Sequence, residues 1–154
     1  MNSRPPRRGV LPPTPRQGRR RALAMGAAAC GLVLAGCSDA ADSAQVVSLD
    51  LARQELEAGR AILIDIREPD EHATGVAPGA RLLPMKQLSR RLGEIPRDVD
   101  QPVLLICRTQ NRSSATGRAL REQGYANVRY VDGGMSEWAR RGWPMVKPPA
   151  GTSP

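Results

Sequence analysis

The sequence predicts an α/β domain built on a mostly parallel sheet, and three observations predict it. Two short runs, Ala61–Ile66 and Pro102–Ile106, are apolar almost throughout, as strands buried on both faces are. Segments with helix caps and glycine stops alternate with these and other short strand-like runs. No internal repeat offers a competing architecture.

Val46-Val47 forms a short first strand. Ser48 caps a helix with Asp50 in its first turn, Ala52 and Leu56 on one face and Gly59 as its stop. Ala61–Ile66 is the first buried strand. Pro69 starts a helical turn through Asp70, Glu71, His72 and Ala73, closed by Gly75. Ala80–Leu83 is a short strand, and Gln87–Leu92 is expected to be a helix ended by Gly93. Pro102–Ile106 is the second buried strand. A helix is expected from Ser113 to Gln123, with Ala115, Ala119 and Leu120 inward and Gly124 as its stop. Val128–Val131 is a strand and Met135–Arg140 a last short helix.

The 154 residues carry 23 Lys+Arg against 15 Asp+Glu, a formal net charge of +8. That balance invites nucleic acid as a partner, but it is not evenly spread. Residues 1–36 hold seven arginines (Arg4, Arg7, Arg8, Arg16, Arg19, Arg20, Arg21) and no acid, leaving 16 basic and 15 acidic residues from Cys37 onward. The four aromatic residues, Tyr125, Tyr130, Trp138 and Trp143, are not interleaved with a basic tract, so a single-strand-binding surface is not expected.

The basic segment has the plan of an export signal. Arg19-Arg20-Arg21 precedes the apolar stretch Ala22–Ala35, which is short of the roughly 20 residues of a spanning helix. Its end, Leu34-Ala35-Gly36-Cys37, resembles a bacterial lipobox. That resemblance implies cleavage before Cys37, a diacylglycerol on its thiol and a membrane anchor of more than one acyl chain. Arg20-Arg21 partly resembles a twin-arginine signal, so the export route stays open. Ser38 after the cysteine would permit outer-membrane sorting. The expected organisation is a signal peptide over 1–36, a linker over 37–45, a domain over 46–147 and a disordered tail over 148–154. The expected location is the bacterial cell envelope, membrane-anchored and facing the periplasm. Eight linker residues reach at most about 30 Å, which keeps the domain near its membrane.

Of three cysteines, Cys30 leaves with the signal and Cys37 is lipidated, so Cys107 is the one thiol of the mature domain and no internal disulfide is expected. Cys107 follows a buried strand and precedes a helix, where parallel sheets bind ligands. The connector is Arg108-Thr109-Gln110-Asn111-Arg112, then Ser113. Loop amides, a helix N-terminus and two arginines there act together to favour a thiolate beside an anion-binding loop. That suits nucleophilic attack on an anionic substrate.

The segment resembles the active-site loop of the rhodanese family of sulfurtransferases. Further matches lie in family order: Leu63–Glu71, Gly75–Ala80, Gly124–Val128, Asp132–Met135 and Trp138–Pro144. The resemblance covers residue 46 to about residue 146 and implies a three-layer domain of about five strands flanked by helices. It implies that Cys107 takes sulfane sulfur from a small anionic donor such as thiosulfate, as a persulfide, and gives it to a thiophilic acceptor. Arg108 and Arg112 would bind the donor, and amides from Thr109, Gln110, Asn111, Arg112 and Ser113 would stabilise the persulfide. Four residues separate Cys107 from Arg112. Phosphatases sharing that fold have five, so the shorter loop favours sulfur over phosphate.

Two residues depart from the family pattern. Gln110 stands where many relatives have Gly, which could restrict the loop or bring an amide near the donor. Val76-Ala77 stand where His-Ile is usual. Asp65, ending a buried strand, either bonds into the active loop or pairs with Arg67, both being residues that support the site. Asp65, Glu68, Asp70, Glu71 and the lone His72 could be read as a metal or acid–base cluster, but one histidine without a cysteine or histidine partner at ligand spacing is a weak metal signal. Asp70 and Glu71 suit a helix N-terminus, and Glu68 and His72 are assigned to solvent. Gly133-Gly134 would let backbone approach the site closely, and Trp138 is assigned to the core. No cofactor, no metal and no nucleic-acid partner is expected, and the chain is expected to be a monomer. A phosphatase or arsenate reductase on the same fold, a non-catalytic sulfur-carrier or binding module, and a persulfide carrier in a longer relay are the rival readings.

Overall fold

The computed structural model describes residues 45–148. The expected signal segment, the lipobox-like stretch with Cys37, most of the expected linker and the expected tail beyond Pro148 lie outside the described residues.

Five strands form one sheet: β1 (Val46–Val47), β2 (Ile62–Asp65), β3 (Arg81–Leu82), β4 (Val103–Ile106) and β5 (Val128–Val131). Their spatial order is β1-β5-β4-β2-β3, and each of the four pairings is parallel. Strand β4 sits in the middle. In the register Leu63 opposes Leu104 and Asp65 opposes Ile106, so β2 and β4 end side by side at the edge where ligands bind in such sheets.

Alternation along β4 separates two cores. Leu104 and Ile106 point into one, with Leu63, Val131, Met135 and Trp138. Val103 and Leu105 point into the other, with Ile64, Leu120, Tyr125 and Val128. Helices α1 (Leu49–Glu57) and α4 (Gly134–Arg140) cover the first face through Leu49, Ala52, Met135 and Trp138. Helix α3 (Asn111–Glu122) covers the second through Leu120. The result is the expected three-layer α/β arrangement. Ser48 caps α1 as expected, its hydroxyl accepting from the Leu51 N–H at 3.3 Å. Helix α2 (Pro69–His72) is a single turn after β2.

Three local expectations are corrected. The segment expected as a helix over Gln87–Leu92 is a 3₁₀ helix, Met85–Arg90, followed by another, Leu92–Glu94. Pro84 opens it, and the Arg91 N–H is shared between the Gln87 and Leu88 carbonyls, each at 3.1 Å. Bonds three residues back, from the Gln87 N–H to the Pro84 carbonyl at 2.8 Å and from the Glu94 N–H to the Arg91 carbonyl at 3.0 Å, give the tighter winding. Helix α3 begins at Asn111 rather than Ser113. Its inward residues are Ser113, Gly117 and Leu120, while Ala115 and Ala119 are exposed. The helix is phased by its first turn, which turns Ser113 toward Cys107. Gly117 then faces the sheet, where an added Cβ would lie 3.9 Å from both Leu105 and Val128.

His72 is the third. Assigned to solvent from the sequence, it is 4% exposed, and its Nε2 lies 3.5 Å from Asp65 Oδ1. The carboxylate draws it inward.

The segment at residues 144–146 is tied back onto Val76 and Trp138. Val76 and Val146 exchange two backbone hydrogen bonds, each 2.9 Å, and the Trp138 Nε1–H donates to the Pro144 carbonyl at 2.9 Å. No helix among the described residues is long and apolar enough to cross a membrane.

Candidate active site

Cys107 immediately follows β4 and is 1% exposed. Its thiol lies 3.5 Å from Ser113 Oγ, whose hydroxyl donates to the Gln110 carbonyl at 3.0 Å. The amides of Arg108 through Ser113 donate to no backbone or side-chain acceptor among the described residues. Six consecutive free donors in the loop and first turn after a thiol are suited to hold negative charge.

The loop is clamped from its other side by α4. The Met135 N–H donates to the Cys107 carbonyl at 2.8 Å, and the Ser136 N–H to the Arg108 carbonyl at 2.9 Å. This close approach rests on Gly134, which has φ +59°. A Cβ there would meet Thr109 O inside contact distance, Cys107 O at 2.6 Å and Arg108 O at 2.7 Å. Gly134 therefore serves the close approach read from the sequence, whereas a Cβ at Gly133 would meet the Glu137 side chain, its Cβ at 2.8 Å. The amides of α4 bonding to loop carbonyls were not legible, because any side chain can precede a backbone donor.

Gln110 precedes α3 with φ −164°, extended backbone that needs no glycine. Its Oε1 accepts from the Gly133 N–H at 3.3 Å, so the side-chain amide ties the loop to the start of α4. Thr109 and Asn111 are exposed.

The two loop arginines part company. Arg112 is bound by Glu71 through two bonds of 2.6 and 2.7 Å. Glu71 also accepts from the Glu68 N–H at 3.1 Å. The Arg112 guanidinium, with help from that N–H, holds the Glu71 carboxyl down to about 2, and Glu71 in turn raises Arg112, as does charge on Cys107. Arg112 is thus a fixed charge within electrostatic reach of the thiol. Arg108 is exposed and has no acceptor among the described residues.

Of the alternatives open for Asp65, the structure shows pairing. Its carboxylate accepts from Arg67 Nε at 2.9 and 3.0 Å, from Nη2 at 2.7 Å and from the Arg67 N–H at 3.0 Å. Burial raises the Asp65 carboxyl, and contacts with His72 and Arg67 more than offset it, leaving it below its ordinary value. Arg67 also donates to the Glu71 and Gly75 carbonyls at 3.1 and 2.8 Å. Asp65 and Arg67 therefore fix helix α2, which presents Glu71 to Arg112. Among the described residues no group of three or more His, Cys, Asp or Glu could hold a metal ion.

The Glu71–Arg112 pair has a pH consequence. Its carboxyl is depressed on folding, so its stabilisation is present above the ordinary value of 4.5 and is lost as pH falls toward about 2. Glu71→Gln is expected to narrow its stability deficit across that window as pH falls. Thermal unfolding of both proteins at several pH values checks it. A deficit independent of pH would contradict the pairing.

Beside the loop lies a cavity of about 420 Å³ whose wall includes Arg108, Asp70, Ser136 and Met145. Sequence reasoning missed it, because its walls come from α2, the loop, α4 and Met145 beyond it.

Comparison with known proteins finds relatives of this domain. A family model described as a rhodanese-like domain matches residues 48–141. A protein of Allochromatium vinosum named sulfurtransferase is 38% identical over 104 residues, which are 68% of this chain and 95% of that one. The crystal structure of a rhodanese-related protein from Thermoplasma volcanium is 25% identical with a TM-score of 0.60, covering 68% of this chain and 99% of the other. A human single-domain sulfurtransferase is 28% identical with a TM-score of 0.56, covering 63% and 96%.

Proposed function

Since the chain belongs to the rhodanese-like family, we propose that it is a sulfurtransferase carrying sulfane sulfur on Cys107. The observation that carries this reading is a thiol at the carboxyl end of the central strand, followed by six unpaired amides. Its sulfurtransferase-named relative supports the reaction class.

Two transfers make up the reaction. The Cys107 thiolate attacks the outer sulfur of a small anionic donor such as thiosulfate. A Cys–S bond forms, the donor's S–S bond breaks, and sulfite leaves with the electron pair. A thiophilic acceptor then attacks the outer sulfur of the persulfide, and the Cys107 thiolate leaves. Arg108, open to the adjoining cavity, binds the donor anion. Arg112, held by Glu71, supplies fixed positive charge. The amides from Thr109 to Ser113 stabilise the persulfide, and Ser113 can turn its hydroxyl to the sulfur. Gln110 holds the loop through Gly133. No cofactor or metal enters: sulfur rides on the protein.

Thiocyanate formation from thiosulfate and cyanide tests the reading, with hydrolysis of an aryl phosphate as the rival assay. Turnover of the phosphate ester without thiocyanate would favour the phosphatase alternative.

We further propose, from the likeness of Leu34-Ala35-Gly36-Cys37 to a lipobox, that this chemistry takes place at the bacterial cell envelope, on a monomer anchored through a diacylglycerol on Cys37 and facing the periplasm. Cys37→Ala is expected to move the protein from the membrane to the soluble fraction. Retention in the membrane fraction would sink the lipid-anchor assignment.

A further inference from the structure

The cavity beside the loop has a composition that selects among acceptors. Several of its polar groups are already engaged. The Arg67 guanidinium is bound by Asp65 and two carbonyls, the Glu71 carboxylate by Arg112, and the Thr74 hydroxyl donates to the Glu71 carbonyl. What remains is one anion, one cation and one hydroxyl: Asp70, Arg108 and Ser136 line the cavity, and no partner for these side chains is found among the described residues. The apolar part of the wall comes from Met135, Ala139 and Met145.

We propose that this cavity is an acceptor subsite for small zwitterionic thiols, the ammonium toward Asp70 and the carboxylate toward Arg108. The inference rests on the sulfurtransferase reading and names the acceptor class for the same site. A two-step reaction lets one guanidinium act twice. Arg108 holds the donor anion first, and once sulfite has left it is free for the acceptor carboxylate. Asp70 opposes the first step and favours the second, because it repels a dianion and attracts an ammonium. In the acceptor step the thiolate attacks the outer persulfide sulfur, a new S–S bond forms on the acceptor, the bond to Cys107 breaks, and the Cys107 thiolate leaves. No oxidant or reductant is consumed.

Four thiols test this with the full chain and thiosulfate as donor: cysteine (both charges), cysteamine (ammonium), mercaptopropionate (carboxylate) and mercaptoethanol (neither). Each kcat/KM is expressed per thiolate, since thiol basicity also alters the rate. Cysteine is expected to exceed mercaptoethanol by roughly tenfold, as two pairs of about threefold each would give. Asp70→Asn should lower the cysteamine-to-mercaptoethanol ratio by about threefold and raise kcat/KM for thiosulfate by a similar factor. Arg108→Gln should lower the mercaptopropionate-to-mercaptoethanol ratio. A merely structural role for Asp70 would move donor and acceptor steps the same way. Acceptor ratios unchanged in both variants, with thiocyanate still formed from cyanide by the native chain, would overturn the acceptor assignment alone. Absence of thiocyanate with the native chain would overturn the reading beneath it.

Discussion

Cys107→Ser is expected to abolish thiocyanate formation, a loss of about 10³-fold or more, because no persulfide can form on a hydroxyl of ordinary reactivity. The fold should survive. Cys107 is 1% exposed within the second core, and serine is close to it in size. Ser113 Oγ, 3.5 Å from the thiol, offers the new hydroxyl a partner, so the stability cost should stay within about 2 kcal/mol. Circular dichroism and denaturant unfolding separate the two effects. Thiocyanate formation persisting near the native rate would remove Cys107 from the chemistry.

The second large effect is expected at Gly134. Replacement by Ala puts a Cβ against three consecutive backbone carbonyls, those of Cys107, Arg108 and Thr109. Backbone cannot swing aside as a side chain can. The left-handed conformation adds about 1 kcal/mol, and the overpacking about 1–3 kcal/mol. In a domain of this size the sum corresponds to a fall in Tm of roughly 10–20 °C. The bonds from Met135 and Ser136 to the loop would stretch, and a shift of this order near a reacting atom costs about 10² in rate. Gly59→Ala is the matched control: its φ is +67°, yet nothing lies within 4 Å of the added Cβ. Melting curves of the two variants isolate the contact from the backbone cost. Equal destabilisation would contradict the account of the loop clamp.

What the sequence disclosed depended on whether the cause was local. Val103–Ile106 is apolar at every position, so burial on both faces was legible, and with it the position of Cys107 at the strand end. Gly134 was legible because close backbone approach calls for glycine. The phase of α3 was not. Ala115 and Ala119 look like core residues, but the packing of Ser113 at the thiol rotates them outward and brings in Gly117. His72 gave no local sign of burial, since its attraction is to Asp65 across a turn. Glu71 suits a helix N-terminus equally well with or without a partner. Its pairing with Arg112 spans 41 positions and exists only because β2 and β4 end together. Gln110 showed that a departure from a family pattern can be structural: its amide reaches Gly133.

The central claim is that Cys107 carries the transferred sulfur, and the most direct test is mass spectrometry of the purified chain after treatment with thiosulfate. The account predicts a gain of one sulfur atom, mapped by peptide to Cys107, absent in Cys107→Ser and removed by cyanide. A chain that gains no sulfur at Cys107 from thiosulfate or from any of several other sulfane donors would contradict it.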